Sequence, residues 1–236
     1  MAEKKRSVRI SRKSRRGRFI VLDGPDGAGK TTQIELLADR LKQSGVQCIL
    51  LREPGGTAAG EAIRKILLDY RGEQKDHLSP LAEAFLFQAA RAQLCEEVIR
   101  PALERGTWVL CDRFTLSTLV YQGYAGGLVP KTVEALSEIA TGGLVPDCYL
   151  VLWVPTQTGI SRRADRRADR MESKGESFLR AVATAYKRAA EAQPQIYRWI
   201  DGIGSVEEVQ RRVWAEVTGL VSRYASLVTR HTQEKK

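Results

Sequence analysis

The chain reads as an α/β protein, with a parallel sheet of about five strands, helices on both faces and a short lid. Three observations predict this class. Apolar runs of strand length recur at Phe19–Leu22, Gln47–Leu51, Thr107–Cys111 and Cys148–Val154, with a weaker one at Ile196–Ile200, and helix-patterned segments separate them. Strands alternating with helices imply parallel βαβ units, whose central strands are apolar throughout because both faces are covered. The second observation is the octet Gly24-Pro25-Asp26-Gly27-Ala28-Gly29-Lys30-Thr31, which fits G-x-x-x-x-G-K-[ST] directly behind the first run. The third is that charged residues follow the runs, and open parallel sheets bind ligands beyond the carboxyl ends of their strands.

The first run feeds the octet. Such a loop turns successive backbone N–H groups toward one point, and the helix behind it adds the positive end of its dipole, so the concavity suits a nucleotide polyphosphate. Lys30 is placed to reach the β- and γ-phosphates of ATP, and the Thr31 hydroxyl to ligate Mg²⁺. With this chain's own residue frequencies, roughly 0.01 chance matches are expected over its length, so the match carries weight. Behind it Ile34, Leu37, Ala38 and Leu41 recur at i, i+3, i+4, i+7, one apolar helical face. Strand, loop and helix in this order make the fold a P-loop NTPase fold.

The second run ends in Arg52-Glu53-Pro54-Gly55-Gly56-Thr57. A long helix is expected from about Ser79 to Arg105, with Ser79 as cap and Pro80 in the first turn. On it Phe87 and Arg91 lie four apart and share a face, and Arg91 interrupts the apolar stripe of Phe87, Ala90 and Leu94. The third run, Trp108-Val109-Leu110-Cys111-Asp112, has the form of a Walker B strand, whose acid can hold Mg²⁺ beside the P-loop hydroxyl. Arg113 next to it is suited to a phosphate outside the nucleotide, with a surface ion pair to Asp112 or Glu53 as the competing reading. Arg52 points to the same cleft. Two arginines converging there favour a phosphorylated acceptor over water.

Behind the fourth run, residues 160–176 hold Arg162-Arg163-Ala164-Asp165-Arg166-Arg167-Ala168-Asp169-Arg170, either a solvated face or a lid that delivers an arginine to the transferred phosphoryl group. Its candidate arginines, which the register alone does not separate, are taken in the order Arg166, then Arg163 and Arg170.

Composition bounds the rest. At 236 residues, with 43% hydrophobic and 28% charged residues, the chain is long enough for one substantial domain, expected over 18–225. No apolar stretch approaches the ~20 residues that span a bilayer, and the charged N-terminus lacks a secretory h-region, so the expected location is the cytoplasm. Cys48, Cys95, Cys111 and Cys148 form no metal or disulfide spacing and read as reduced core thiols. Of the formal charge of +10, residues 1–18 supply +8, nine Lys/Arg against Glu3, which leaves +2 for the remainder. Residues 1–17 are therefore expected to be a disordered basic tail, solubilising or in weak electrostatic contact with RNA, and 226–236 a polar tail.

Taken together, Arg52-Glu53-Pro54-Gly55-Gly56-Thr57, Asp112-Arg113-Phe114 with Ser117, and Tyr121-Gln122-Gly123 resemble bacterial thymidylate kinases over residues 18–223. The resemblance implies transfer of the γ-phosphoryl of Mg-ATP to dTMP, giving dTDP and ADP on the way to dTTP, in a homodimer. It implies that Phe87 stacks on thymine and Arg91 bonds its O4, that Ser117, Thr118 and Gln122 border the base, and that Tyr121 crowds the ribose 2′ position. Asp26 matches an acid near the acceptor's sugar and phosphate, and Arg113, helped by Arg52, holds that phosphate. Gly27 stands where some members carry an arginine, so the catalytic arginine is expected from the lid, at Arg166. Two departures stand out. Tyr124-Ala125-Gly126-Gly127 lacks a common arginine, and Trp153 replaces a common aspartate. A kinase of this fold with another nucleoside monophosphate or deoxynucleoside acceptor is the nearer alternative. A nucleotide switch with an RNA-binding tail is the more distant one.

Overall fold

The computed structural model describes residues 16–69, 78–165 and 168–233, of which 225–233 are described as backbone only. Five parallel strands, β1 (Phe19–Asp23), β2 (Cys48–Arg52), β3 (Trp108–Asp112), β4 (Cys148–Trp153) and β5 (Tyr197–Asp201), lie in the order β2-β3-β1-β4-β5. All five expected runs are strands, each within about a residue or two of its predicted bounds. β1 is central, and every one of its residues is buried. Successive side chains of a strand point to opposite faces. Phe19 and Val21 accordingly join one core cluster, while Ile20 and Leu22 join the cluster on the other face.

Helices α1 (Lys30–Gln43) and α9 (Val206–Gln233) cover the second face, where Leu37, Leu41, Val213 and Val217 are fully buried. On the first face lie α3 (Pro80–Leu94), α4 (Arg100–Glu104), α6 (Pro130–Thr141) and α8 (Glu176–Ala192), with the shorter α2 (Ala58–Asp69), α5 (Thr115–Thr118) and α7 (Thr156–Ser161) beside the strand ends. Ser79 caps α3 as expected, its hydroxyl accepting from the Ala82 N–H at 3.2 Å with Pro80 in the first turn.

One expectation changes in form. The helix over 79–105 is not uniform, because a wider turn at Cys95–Ile99 separates α3 from α4. Pro101, which follows, has no N–H to donate, and a locally widened turn accommodates that gap in the ladder. In the lid segment α7 ends at Ser161, residues 162–165 form a turn, and a short turn at Glu172–Lys174 precedes α8. Residues 1–15 of the basic tail lie outside the described residues, as do Arg166 and Arg167. Among the described residues no helix is long and apolar enough to cross a membrane.

Candidate active site

The sheet register sets the site. Leu22 pairs with Asp112 and Arg52 pairs with Asp112, so the ends of β1, β2 and β3 open onto one cleft of about 850 Å³. Asp26, Gly27, Gly29, Lys30 and Thr31 line it together with Arg113, Ser117, Thr118, Tyr121 and Gln122, and Arg52, Phe87 and Asp112 also contribute.

The phosphate loop is shaped by backbone. Gly24 (φ 139°), Gly27 (φ 78°) and Gly29 (φ 94°) take conformations that disfavour side chains. A Cβ at Gly24 would stand 1.9 Å from the Leu152 carbonyl, and one at Gly27 2.3 Å from that of Gly159. Gly29 caps α1 without a side-chain hydrogen bond, so the first N–H groups of the helix are left for a ligand. Pro25 and Ala28 form the loop's back, Ala28 being buried. The Lys30 ammonium folds over the loop and donates to the carbonyls of Gly24 (3.0 Å) and Pro25 (2.9 Å). Burial and the neighbouring Arg113 hold its pKa below the usual lysine value.

Beside the loop, Thr31 Oγ1 donates to Asp112 Oδ2 at 3.0 Å. The other oxygen, Oδ1, is buried without a hydrogen-bond partner. A buried lone carboxylate oxygen next to a hydroxyl is a donor set that fits a hard divalent cation. Among the described residues no group of three or more His, Cys, Asp or Glu forms a closed metal cage. Thr31 and Asp112 offer the one or two protein oxygens that Mg²⁺ takes when water and phosphate complete its shell.

Against the loop itself, Arg113 has φ 73°, the only left-handed non-glycine among the described residues, and its Nη1 donates to Gly24 O at 3.2 Å. Such backbone costs of order 1–3 kcal/mol and persists where its surroundings over-determine it. Here they do. The Arg113 N–H donates to Leu22 O at 2.9 Å, Nη1 donates to Ser117 Oγ (3.0 Å) and Tyr186 Oη (3.2 Å), and Nη2 pairs with Asp26 Oδ1. Tyr121 donates from its hydroxyl to the other Asp26 oxygen at 2.7 Å. Burial alone would raise the Asp26 pKa, but Arg113, Lys30 and Tyr121 outweigh it and hold the carboxyl below the usual range. Burial and the same carboxylate push the Tyr121 phenol well up, so it stays protonated as a donor. The ion pair weighed against a ligand role for Arg113 thus exists, but with Asp26 rather than Asp112 or Glu53.

Arg91 takes a different position from its helical neighbour Phe87. It is 1% exposed and does not line the cleft; Nη2 meets Glu53 Oε2 at 2.6 Å, and Nη1 donates to Gln88 Oε1 at 2.7 Å. It also donates to Phe114 O and to Thr118 Oγ1, both at 3.0 Å, so it braces the wall that Thr118 presents. Arg52 is half-exposed and 3.4 Å from Glu61.

Among the lid arginines, Arg163 lines the cleft and pairs with Glu172 at 2.9 Å. Arg170 instead pairs with the buried Glu83 at 2.7 Å and donates to Leu67 O at 2.7 Å, which removes it from the phosphate end. Trp153, one of the departures, donates its indole N–H to Ala183 O at 3.1 Å and packs on Trp199 with ring centres 5.3 Å apart, a structural role at the sheet edge. At Gly126 a Cβ would meet the carbonyls of Gln122 and Tyr121 at 2.7 Å, so this turn has no room for a side chain.

Sequence reasoning missed Asp23 and Arg64. Asp23, the last residue of β1, is fully buried and accepts from the N–H groups of Gly24, Phe114 and Ser117 and the hydroxyls of Ser117, Tyr149 and Tyr186. An acid ending a buried strand was the available signal. Arg64 on α2 lines the cleft and donates to Pro54 O at 2.8 Å.

A family model described as Thymidylate kinase matches residues 22–213. Of the curated relatives, a thymidylate kinase of Pseudomonas putida (strain GB-1) is 44% identical over 208 residues, covering 88% of this chain and 98% of the relative. One from Thermomicrobium roseum (strain ATCC 27502 / DSM 5159 / P-2) is 47% identical over 207 residues, covering 87% and 96%. A third, from Synechococcus sp. (strain JA-3-3Ab), is 46% identical over 199 residues, covering 84% and 94%.

Proposed function

The chain belongs to the thymidylate kinase family, and from that premise we propose that it transfers the γ-phosphoryl group of ATP to dTMP, giving dTDP and ADP. The observation that carries this reading is that the loop with Lys30 and a second cationic group, Arg113, line one cleft and are joined through Asp26 of the loop. Phosphoryl transfer between two phosphates needs a cation for each within one cleft, so that the attacking and leaving oxygens can be held in line on either side of phosphorus.

In this reading Gly24 to Thr31 hold the ATP phosphates, and Lys30 neutralises charge on the β- and γ-oxygens. Thr31 and Asp112 would hold Mg²⁺, which when bound offsets negative charge shared between those phosphates. Arg113, with Arg52 nearby, orients the acceptor phosphate, one of whose oxygens attacks the γ-phosphorus while the bond to the β-bridging oxygen breaks. The attacking oxygen is already anionic, so no general base is needed, and Asp26 serves to fix Arg113. Phe87, Ser117, Thr118, Tyr121 and Gln122 border the base and sugar, with Arg91 bracing Thr118. A lid arginine, Arg166 first among the candidates, supplies further charge as the lid closes.

ADP formation from ATP, measured with dTMP, dUMP, dCMP, AMP and GMP as acceptors, tests this. Turnover with dTMP above all others is expected. Turnover with another acceptor and none with dTMP contradicts it.

A further inference from the structure

Glu83 sits on α3 one helical turn before Phe87, fully buried. Its carboxylate takes Arg170 (2.7 Å) and Lys174 (2.7 and 2.9 Å), both from the C-terminal part of the lid segment, and the Nε2 of Gln122 at 3.0 Å. Burial opposes its charge, but these three donors outweigh burial and hold its pKa below the usual value. It is therefore ionised at neutral pH, and an ionised carboxylate can only accept hydrogen bonds. Gln122 is 1% exposed, lines the cleft, and has its Oε1 buried without a partner. A buried amide oxygen left unpaired is costly, and a ligand donor would relieve it.

Resting on the proposed function, we infer that Glu83 is a positioning residue that sets the base selectivity of the cleft. By accepting from Gln122 Nε2 it fixes the amide with Oε1 as the atom left for the ligand. The pocket then favours a pyrimidine with an N–H at ring position 3, as in thymine, over cytosine, whose N3 is itself an acceptor. Two acceptors facing each other leave both unpaired, which is how a polar site rejects a near-isostere. Arg170 and Lys174 keep Glu83 charged, so the polarity of the base site depends on the C-terminal part of the lid segment.

The test is the ratio of kcat/KM for dTMP over dCMP in the full-length enzyme, with KM for ATP and a thermal melt recorded alongside. In Glu83→Gln the new amide can donate or accept, the orientation of Gln122 is no longer fixed, and the ratio should fall at least about 10-fold. Gln122→Met removes the acceptor while leaving Arg170 and Lys174 on Glu83, and should lower the ratio to a similar extent. Combining the two should give no further fall, since both act through one amide. A merely structural Glu83 would change stability and leave the ratio alone. A ratio within about twofold of the parent in Gln122→Met, or in folded Glu83→Gln, overturns the inference, as do effects that multiply in the double variant. If Glu83→Gln does not fold, Gln122→Met decides. Absence of dTMP turnover in the parent enzyme defeats the functional reading instead.

Discussion

Arg91 and Glu53 form an ion pair sealed inside the protein, with Nη2 2.6 Å from Oε2 and the two side chains 1% and 4% exposed. Burial pushes the Glu53 carboxyl up in pKa even against Arg91, so the carboxylate depends on its partner to stay charged. Arg91→Ala should therefore cost about 3–5 kcal/mol of stability, the usual result of breaking one side of a buried pair. Urea unfolding measures this. Adding Glu53→Gln to Arg91→Ala should recover part of the loss, because no unpaired charge then remains. A fully stable Arg91→Ala would mean that the pair braces nothing.

Asp26 predicts a pH dependence. Its folded pKa is depressed, with burial outweighed by Arg113, Lys30 and Tyr121, whereas its unfolded value is about 3.9. Stabilisation from a depressed carboxylate is fully present above the unfolded pKa and is lost as pH falls through the folded one. The difference in urea stability between the parent and Asp26→Asn should stay level from pH 8 to about pH 5 and narrow below about pH 4. A difference that grows on acidification would contradict the assignment.

Asp112→Asn removes the charge that faces Thr31 and the unpaired Oδ1. Calorimetric titration with ATP should show about 10–100-fold weaker binding in the presence of Mg²⁺. Binding in EDTA should be unchanged or tighter, since a carboxylate near the phosphates is gone. Equal losses in both buffers would place Asp112 outside the metal site.

Tyr186 lies between Asp23 and Arg113, donating to Asp23 at 2.6 Å and accepting from Arg113 at 3.2 Å. Tyr186→Phe should cost about 1 kcal/mol and raise KM for dTMP several-fold without changing KM for ATP. Asp23→Asn should be worse, about 2–3 kcal/mol, because an amide group turned toward six donors leaves some of them unsatisfied.

Local signals account for most of what the sequence disclosed. Five strands, the loop at Gly24–Thr31 and the Ser79 cap follow from short-range composition and spacing, and the structure contains each. Partners set by the fold were not legible in this way. Tyr186 reaches Asp23 across 163 positions, and Glu83 meets Lys174 across 91. Arg91 shows both sides: spacing placed it beside Phe87, yet only the arrival of Glu53 from β2 decides that it braces the cleft from behind. Arg163 and Arg170 likewise shared one charged run, and the partners Glu172 and Glu83 send them to different places.

In the proposed reaction the loop and Arg113 hold two phosphates in line. The most direct measurement is steady-state ADP release from ATP in the presence and absence of dTMP, for the parent and for Arg113→Met. ADP should match dTDP mole for mole, with no release without dTMP and a fall of more than about 100-fold in kcat/KM for dTMP in Arg113→Met with ATP affinity retained. ADP release that ignores dTMP, or an Arg113→Met enzyme with the parent's kinetics, would contradict it.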